Sequence, residues 1–175
     1  MFDIYSIVDH VFPLVVAIGL ILSWKVATAR WFMISYSAIV VTNLLTMHLT
    51  IQWNTHYYLF DALVSIAFLI PIIYRRDLAL FLYNMTGNEF YRCVYRKQAL
   101  SAQECMIVLV VIILVAVNLI TWLEVLSYKY YWIDNAFIKL YLRDNIVLLL
   151  QIILCGCFLT YANKAESREL NYENT

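Results

Sequence analysis

The chain of 175 residues is 64% hydrophobic and only 14% charged, whereas a soluble domain usually carries about 25% charged residues. This composition leaves too little polar surface for an ordinary soluble domain. It predicts an all-α, polytopic integral membrane protein with a single transmembrane domain over residues 1–175. The formal net charge is zero, so the overall charge indicates no nucleic-acid partner and none is expected.

The first two of about five predicted transmembrane helices cover residues 8–24 and 31–52. Pro13 lies near the start of the first, where a missing amide costs least. The second is the most polar, because a stripe of small polar side chains follows it, namely Ser35, Thr42, Thr46 and Thr50 with Asn43 beside them. Such stripes usually pack helices together through small side chains and interhelical hydrogen bonds, and a water-lined pathway is the alternative.

The third predicted helix, residues 57–73, carries Asp61 one turn from its start. It is followed by the long polar connection 75–103, which reads as two short interfacial helices with mixed aromatic and basic residues. Cations of this kind suit an anionic headgroup layer or a partner protein. The residues expected to make these contacts are Arg75, Arg76, Arg92, Arg96 and Lys97. A nucleic-acid surface would also use rings and cations, but a position beside a membrane favours the interfacial interpretation.

The fourth predicted helix, residues 101–127, contains the clearest membrane signal of the chain. Residues 106–123 include no charge, glycine or proline, and a helix of that length crosses a hydrocarbon core of roughly 30 Å at ~1.5 Å per residue. Ser101 and Glu104 match the capping-box pattern, in which each side chain bonds the other residue's amide. A helix is therefore expected to begin near Ser101.

The fifth predicted helix covers residues 145–161. A tyrosine-rich interfacial helix is expected before it, over residues 128–144, with Asp134 or Asn135 as its cap. After it comes a polar tail, residues 162–175, which should continue as helix for a turn or two and then fray.

The cations define a topology for these five helices. With the N-terminus outside, nine lysines and arginines lie on the inner side, and only Lys129, Lys139 and Arg143 lie on the outer side. Because cytoplasmic loops carry an excess of cations, we expect the N-terminus outside and the C-terminus inside. The connection 75–103 and the tail 162–175 would then face the cytoplasm.

In this topology, polar side chains gather towards the outer end of the helices: Asp9, His10, His48, His56, Asp61, Asn118 and Glu124. Acidic residues in a membrane are costly, which makes Asp61 the first candidate for function. It could bond a histidine or hydroxyl of the second helix and pin the hairpin 31–73. Alternatively, His48 or His56 could gain a proton in the range where histidine titrates and change its pairing with Asp61, as in a proton- or cation-responsive gate.

Metal and cofactor chemistry receives little support from the spacing of the ligating residues. A metal or haem site on the three histidines would lack any HExxH or i, i+4 pair, so neither metal nor cofactor is expected. The four cysteines, Cys93, Cys105, Cys155 and Cys157, form no CxxC pair and should stay reduced. The sequence has no GxSxG or Walker pattern and only three glycines, so catalysis is not expected.

The expected function is that of a non-catalytic, oligomeric membrane subunit that anchors or senses for a cytoplasmic protein partner. The partner would bind the connection 75–103 and the tail 162–175, and the setting would be a bacterial inner (plasma) membrane. An anti-phage system is an expectation by analogy alone. The alternative is an ion-conducting or membrane-depolarising channel that uses the polar stripe and Asp61, and the third hypothesis is a membrane-embedded lipid enzyme.

Overall fold

The computed structural model describes residues 4–50, 52–53, 55–96 and 100–167, without the side chains of residues 4–10, 47 and 48. All regular structure in these ranges is helical, which confirms the all-α prediction. Four predicted site residues, Asp9, His10, His48 and Lys97, lie outside the described side chains.

Seven α-helices follow one another along the described chain. They are α1 (Ile4–Leu22), α2 (Ala27–Thr50), α3 (Tyr57–Ile73), α4 (Arg75–Thr86), α5 (Glu89–Arg96), α6 (Ala102–Lys129) and α7 (Arg143–Asn163). A π-helical turn, Ile138–Leu142, leads directly into α7. The capping box predicted at the start of α6 is present in both directions, between Ser101 and Glu104.

The five long helices form a closed ring. α1 packs against α2 and α7, α3 packs against α2 and α6, and α6 packs against α7. The upper end of the ring is where α2 and α6 end and where α3 and α7 begin. The lower end is where α1, α3 and α7 end and where α2 and α6 begin. In its lower half the ring is filled by buried aromatic side chains of α2, α3 and α7, namely Phe32, Tyr36, Phe68, Phe158 and Tyr161.

Two helical stretches are long and apolar enough to cross a membrane: α6 and the continuous stretch Ile138–Asn163. A third is obtained if α3 and α4, which meet at an angle of 72°, are taken as one bent span. These lengths and compositions are compatible with an integral membrane protein.

Two expectations about helix ends are wrong. Because α1 begins at Ile4, Pro13 lies well inside the helix rather than in its first turn. The stretch expected as an interfacial helix over residues 128–144 instead continues α6 to Lys129, then forms an irregular connection and the π-helical turn. Neither Asp134 nor Asn135 caps that turn. Its exposed amides are bonded by Glu124 of α6, whose two carboxylate oxygens accept from Ile138 N at 2.8 Å and Lys139 N at 2.9 Å.

Helices α4 and α5 form a hairpin (residues 75–96) beneath the lower end of the ring. The turn between them needs a left-handed residue, and Gly87 supplies it at φ 64°. Buried Ala79 and Val94 pack against Trp31 of α2, and the Trp31 indole donates to the carbonyl of Pro71 at 3.0 Å. The hairpin is thus packed against the first turns of α2, and the indole bond ties that part of α2 to the last turn of α3.

Candidate functional site

A polar network joins three helices at the upper end of the ring. Asn118 of α6 is fully buried, and its amide nitrogen donates to Asp61 Oδ2 of α3 at 2.7 Å. Its amide oxygen accepts from Arg143 Nη2 of α7 at 3.5 Å. The neutral amide therefore stands between an acid and a base and links their helices. The described partner of Asp61 is therefore on α6. The hypothesis that pairs Asp61 with a histidine or hydroxyl of the second helix stays a prediction, because the side chain of His48 lies outside the described residues.

Arg143 is the most connected side chain of this network. Its guanidinium lies over the rings of Tyr58 and Tyr57, 4.8 and 5.6 Å from their centroids, an arrangement that favours a cation. Its Nη1 also bonds Asp144 Oδ1 at 3.1 Å. Its Nε is buried and has no hydrogen-bond acceptor among the described residues. Arg143 is thus positioned by its neighbours with one donor group unused.

A cleft of about 930 Å³ opens beside this network. Every helix of the ring contributes to its wall, and the polar part of that wall comes from α2, α3 and the start of α7. The polar lining residues are Asn43, Thr46, Thr50, Asp61, Ser65, Lys139, Arg143, Asp144 and Gln151. The cleft therefore brings part of the polar stripe of the second helix and Asp61 to one space inside a single chain.

The lower part of the cleft is apolar and ends on aromatic rings. Tyr36 and Phe68 line it and contact each other edge to face, with ring centroids 5.1 Å apart. Beneath them Phe158 stacks on Tyr36 at 4.3 Å and Phe32 contacts Tyr161 at 5.1 Å. Since these rings are buried and mutually packed, the cleft is closed from below.

The stripe on α2 divides into two parts. Asn43, Thr46 and Thr50 line the cleft, whereas Ser35 and Thr42 do not. The hydroxyls of all four stripe residues donate to carbonyls one turn earlier in α2, at 2.7 to 3.1 Å. Because those protons are directed to their own helix, the stripe presents hydroxyl oxygens rather than donors to the cleft.

The remaining residues predicted for this end lie apart from the network. His56 is exposed at the start of α3 and makes no side-chain cap there, and Glu124 bonds the π-helical turn as described above. Within the described residues, no three His, Cys, Asp or Glu side chains are grouped so that they could hold a metal ion. All four cysteines are free, with Cys93 and Cys105 exposed.

A second charged cluster lies at the lower end of the ring. Arg75 Nη1 contacts Glu104 Oε1 at 3.3 Å, and both side chains are only 4% exposed. The same oxygen accepts from the Tyr161 hydroxyl at 2.7 Å, and Oε2 accepts from Ser101 N at 2.7 Å. This carboxylate therefore joins α4, α6 and α7, and each of its oxygens accepts at least one bond from the fold itself.

The other described cations of the connection 75–103, Arg76, Arg92 and Arg96, remain at the surface. Arg76 and Arg96 are exposed, and Arg76 lies 5.7 Å from the ring centroid of Tyr95. Arg92 pairs with Glu89 at 2.9 Å on the same helix. Arg75 differs from them because its guanidinium is engaged in the buried ion pair with Glu104.

Several residues of both clusters were missed in the sequence. From the sequence alone, Arg143 and Lys139 are expected only as outer cations and Glu104 only as part of a cap. A usable signal existed for Arg143, because a cation at the start of an apolar helix shares its end of the bundle with Asp61. No comparable pattern pointed to the Arg75–Glu104 pair, whose members lie 29 residues apart.

Comparison of the chain with protein-family models, with curated proteins and with solved structures finds no significant match. The fold and the cleft together define a helical bundle with membrane-compatible helices and an internal polar site. The function therefore has to be inferred from the cleft, the hairpin and the helices between them.

Proposed function

We propose that the chain is a non-catalytic sensor and anchor subunit of a membrane, with α1, α2, α3, α6 and α7 crossing the bilayer and the N-terminus outside. The cleft receives a ligand from the outer side, and the hairpin presents the bound state to a cytoplasmic protein partner. The observation that carries this proposal is the cleft itself, which is wide, polar at the upper end and closed from below.

The dimensions and lining of the cleft support a binding role. Ligand sites are concave, roughly 300–1,000 Å³ in volume, and mostly apolar with a few positioned polar groups. The cleft fits that description in volume and in its lining. Asp61 and Arg143 are held in place by Asn118 and by two tyrosine rings, so the site is preorganised rather than assembled on binding.

The hairpin supports the partner role. Its inner side is packed against Trp31. Phe81, Met85 and Arg76 of α4 are exposed, and so is Arg96 at the end of α5. Exposed rings and cations suit an anionic membrane surface and a protein partner alike. A helix pair fixed to the bundle can present such a surface in a defined orientation.

α3 connects the two regions. It carries Asp61 near its upper end and leads into Arg75 at its lower end. Its 17 residues span about 25 Å at the α-helical rise. A ligand that displaces Asp61 would therefore act on the first residue of the hairpin through one continuous helix.

Self-association of several copies is also proposed, although one chain supplies the residues that line the cleft.

Co-purification from bacterial inner membranes tests the partner role. Arg96→Glu reverses an exposed charge at the end of α5, and Lys129→Glu reverses an exposed charge at the end of α6. We expect the Arg96 variant to lose most of a partner that the unmodified chain retains, and the Lys129 variant to keep it. Equal recovery of the partner by both variants would show that the hairpin is not the docking surface.

The channel hypothesis is favoured by one observation, the polar wall formed by Asn43, Thr46 and Thr50. The aromatic floor opposes it, because a conducting path would have to cross packed rings. Ion flux from liposomes that contain the purified protein separates the two functions. We expect no flux above that of empty liposomes. Robust flux that disappears in Asp61→Asn would establish a channel and overturn the sensor proposal.

A further inference from the structure

We propose that the cleft binds an amphiphile with one anionic head group, a carboxylate or phosphate, on an aliphatic chain. This inference rests on the proposed function and names the chemical class of its ligand. Lys139 and Arg143 hold the head group near the upper end, and the chain extends down to Tyr36 and Phe68.

Two cationic side chains of the cleft, Lys139 and Arg143, have donor groups that the described fold does not use. Lys139 is half-buried and lines the cleft, and in the described part of the chain no acidic side chain pairs with its ammonium group. Arg143 also lines the cleft, and its Nη1 and Nη2 each donate one bond, which leaves a second N–H on each nitrogen. A ligand that supplies anionic oxygens can accept from these N–H groups and from the Lys139 ammonium group.

The acidic groups of the same cleft are already engaged. Asp61 accepts the Asn118 amide at 2.7 Å, and Asp144 pairs with Arg143 at 3.1 Å. The lining holds two acids and two bases, so the net charge of the cleft favours neither sign. Because each acid already has a partner and the Lys139 ammonium group has none in the described part of the chain, pairing favours an anion over a cation.

The lower part of the cleft selects for an aliphatic chain. Its wall is formed by apolar side chains of all five ring helices, among them Phe12, Ile39, Val111 and Leu154. A small hydrophilic anion would leave this wall in contact with water, whereas each buried methylene contributes about 0.8 kcal/mol of transfer free energy. The polar upper part and the apolar lower part together match an amphiphile.

Displacement of a fluorescent long-chain fatty acid from the purified protein in neutral detergent tests this inference. We expect unlabelled fatty acid and a long-chain alkyl phosphate to displace the probe. The alcohol of equal chain length should be weaker by about tenfold, the loss expected for one charge-assisted hydrogen bond. Inorganic phosphate alone should not displace it. Equal competition by the acid and the alcohol would overturn the proposal.

Two matched pairs of variants locate the site. Lys139→Met should weaken fatty-acid binding about tenfold and leave alcohol binding unchanged, whereas Lys129→Met should change neither. Leu148→Trp fills the cleft and should abolish binding of both, whereas Leu149→Trp, on an exposed neighbour, should not. Thermal unfolding of each variant identifies any that fails to fold. Folded Lys139 and Leu148 variants that bind like their controls would contradict the site.

Two sources could supply this ligand, and nanodiscs separate them. Probe binding that is weaker in phosphatidylcholine discs containing phosphatidylglycerol identifies an anionic membrane lipid, and undiminished binding identifies a free amphiphile. The partner experiment is independent of both. If the protein bound the acid and the alcohol equally well but still co-purified with its partner, this inference alone would be overturned. If it bound the ligand with the expected preference but retained no partner, the proposed function alone would be overturned.

Discussion

The two ends of the bundle contain the same kinds of residues in opposite arrangements. At the lower end Arg75 and Glu104 touch directly and are almost wholly buried, and the carboxylate accepts two further bonds. At the upper end Asp61 and Arg143 are separated by the neutral amide of Asn118. The lower pair lies within packed protein, whereas the upper pair borders a cleft of about 930 Å³.

This difference separates structural charges from functional ones. A charge whose hydrogen-bonding groups are all used by its own fold has nothing left for a ligand. Arg143 and Lys139 keep unused donors beside an open space, which is the condition for recognition of another molecule. Loss of a lower charge should therefore affect stability, and loss of an upper charge should mainly affect binding.

The largest effect on stability is expected for Glu104→Gln. The substitution leaves Arg75 buried without its counter-charge, and removal of one partner of a buried ion pair costs about 3–5 kcal/mol. The free energy of unfolding, measured by denaturant titration in detergent micelles, should fall by that amount. Glu89→Gln is the control, because its pair with Arg92 is exposed and its loss should cost within about 0.5 kcal/mol. Similar losses for both variants would remove the distinction between the two ends.

A smaller loss is expected for Asn118→Leu at the upper end. The substitution preserves side-chain size but removes the amide that bonds Asp61, so a partly buried carboxylate loses its partner at a cost of about 1–3 kcal/mol. Thr121→Val is the control, because Thr121 lies on the same helix as Asn118 and is equally buried. Among the described residues its hydroxyl bonds only the carbonyl of Val117 in its own helix, so its removal should cost within about 0.5 kcal/mol. The same titration measures both, and a loss as large as that of Glu104→Gln would show that the upper network is structural too.

A pair of tryptophans tests the attachment of the hairpin. Trp31→Phe removes the indole bond to Pro71 and should cost about 1 kcal/mol of unfolding free energy. The indole nitrogen of Trp122 is buried with no acceptor among the described residues, so Trp122→Phe should cost nothing or stabilise the fold. Limited proteolysis within the hairpin should become faster only in the Trp31 variant. Faster cleavage in both would indicate a general loss of packing.

The bounds of some helices could be predicted from the sequence, and the contacts between helices could not. Hydrophobic runs and flanking charges located α3, which occupies the predicted range 57–73, and the capping box located the start of α6. They also placed Asp61 and Asn118 near the same end. Their bond depends on which helices are adjacent and how each is rotated, and neither property follows from the apolar pattern of one helix.

The same limit explains the errors. Glu124 caps a turn fourteen residues further along the chain, whereas local rules consider only adjacent residues such as Asp134. Pro13 was placed by the start of the apolar run, but α1 extends beyond that run to Ile4. The cleft itself is a property of the closed ring, so the polar stripe of α2 could equally have faced a second copy.

The smallest effect on the free energy of unfolding is expected at an exposed ion pair of the lower end. This pair tests whether the burial of a charge or its position in the bundle determines the stability that it contributes. Lys25 bonds Glu166 at 3.2 Å with 82% of its side chain exposed, so Lys25→Ala should cost at most about 0.5 kcal/mol. At about 1 M salt, where the screening length is near 3 Å, that cost should vanish, whereas the cost of Glu104→Gln should persist because water and ions do not reach it. If salt reduced both costs equally, the Arg75–Glu104 pair would be accessible to solvent. The contrast between this buried pair and the polar groups beside the cleft would then fail.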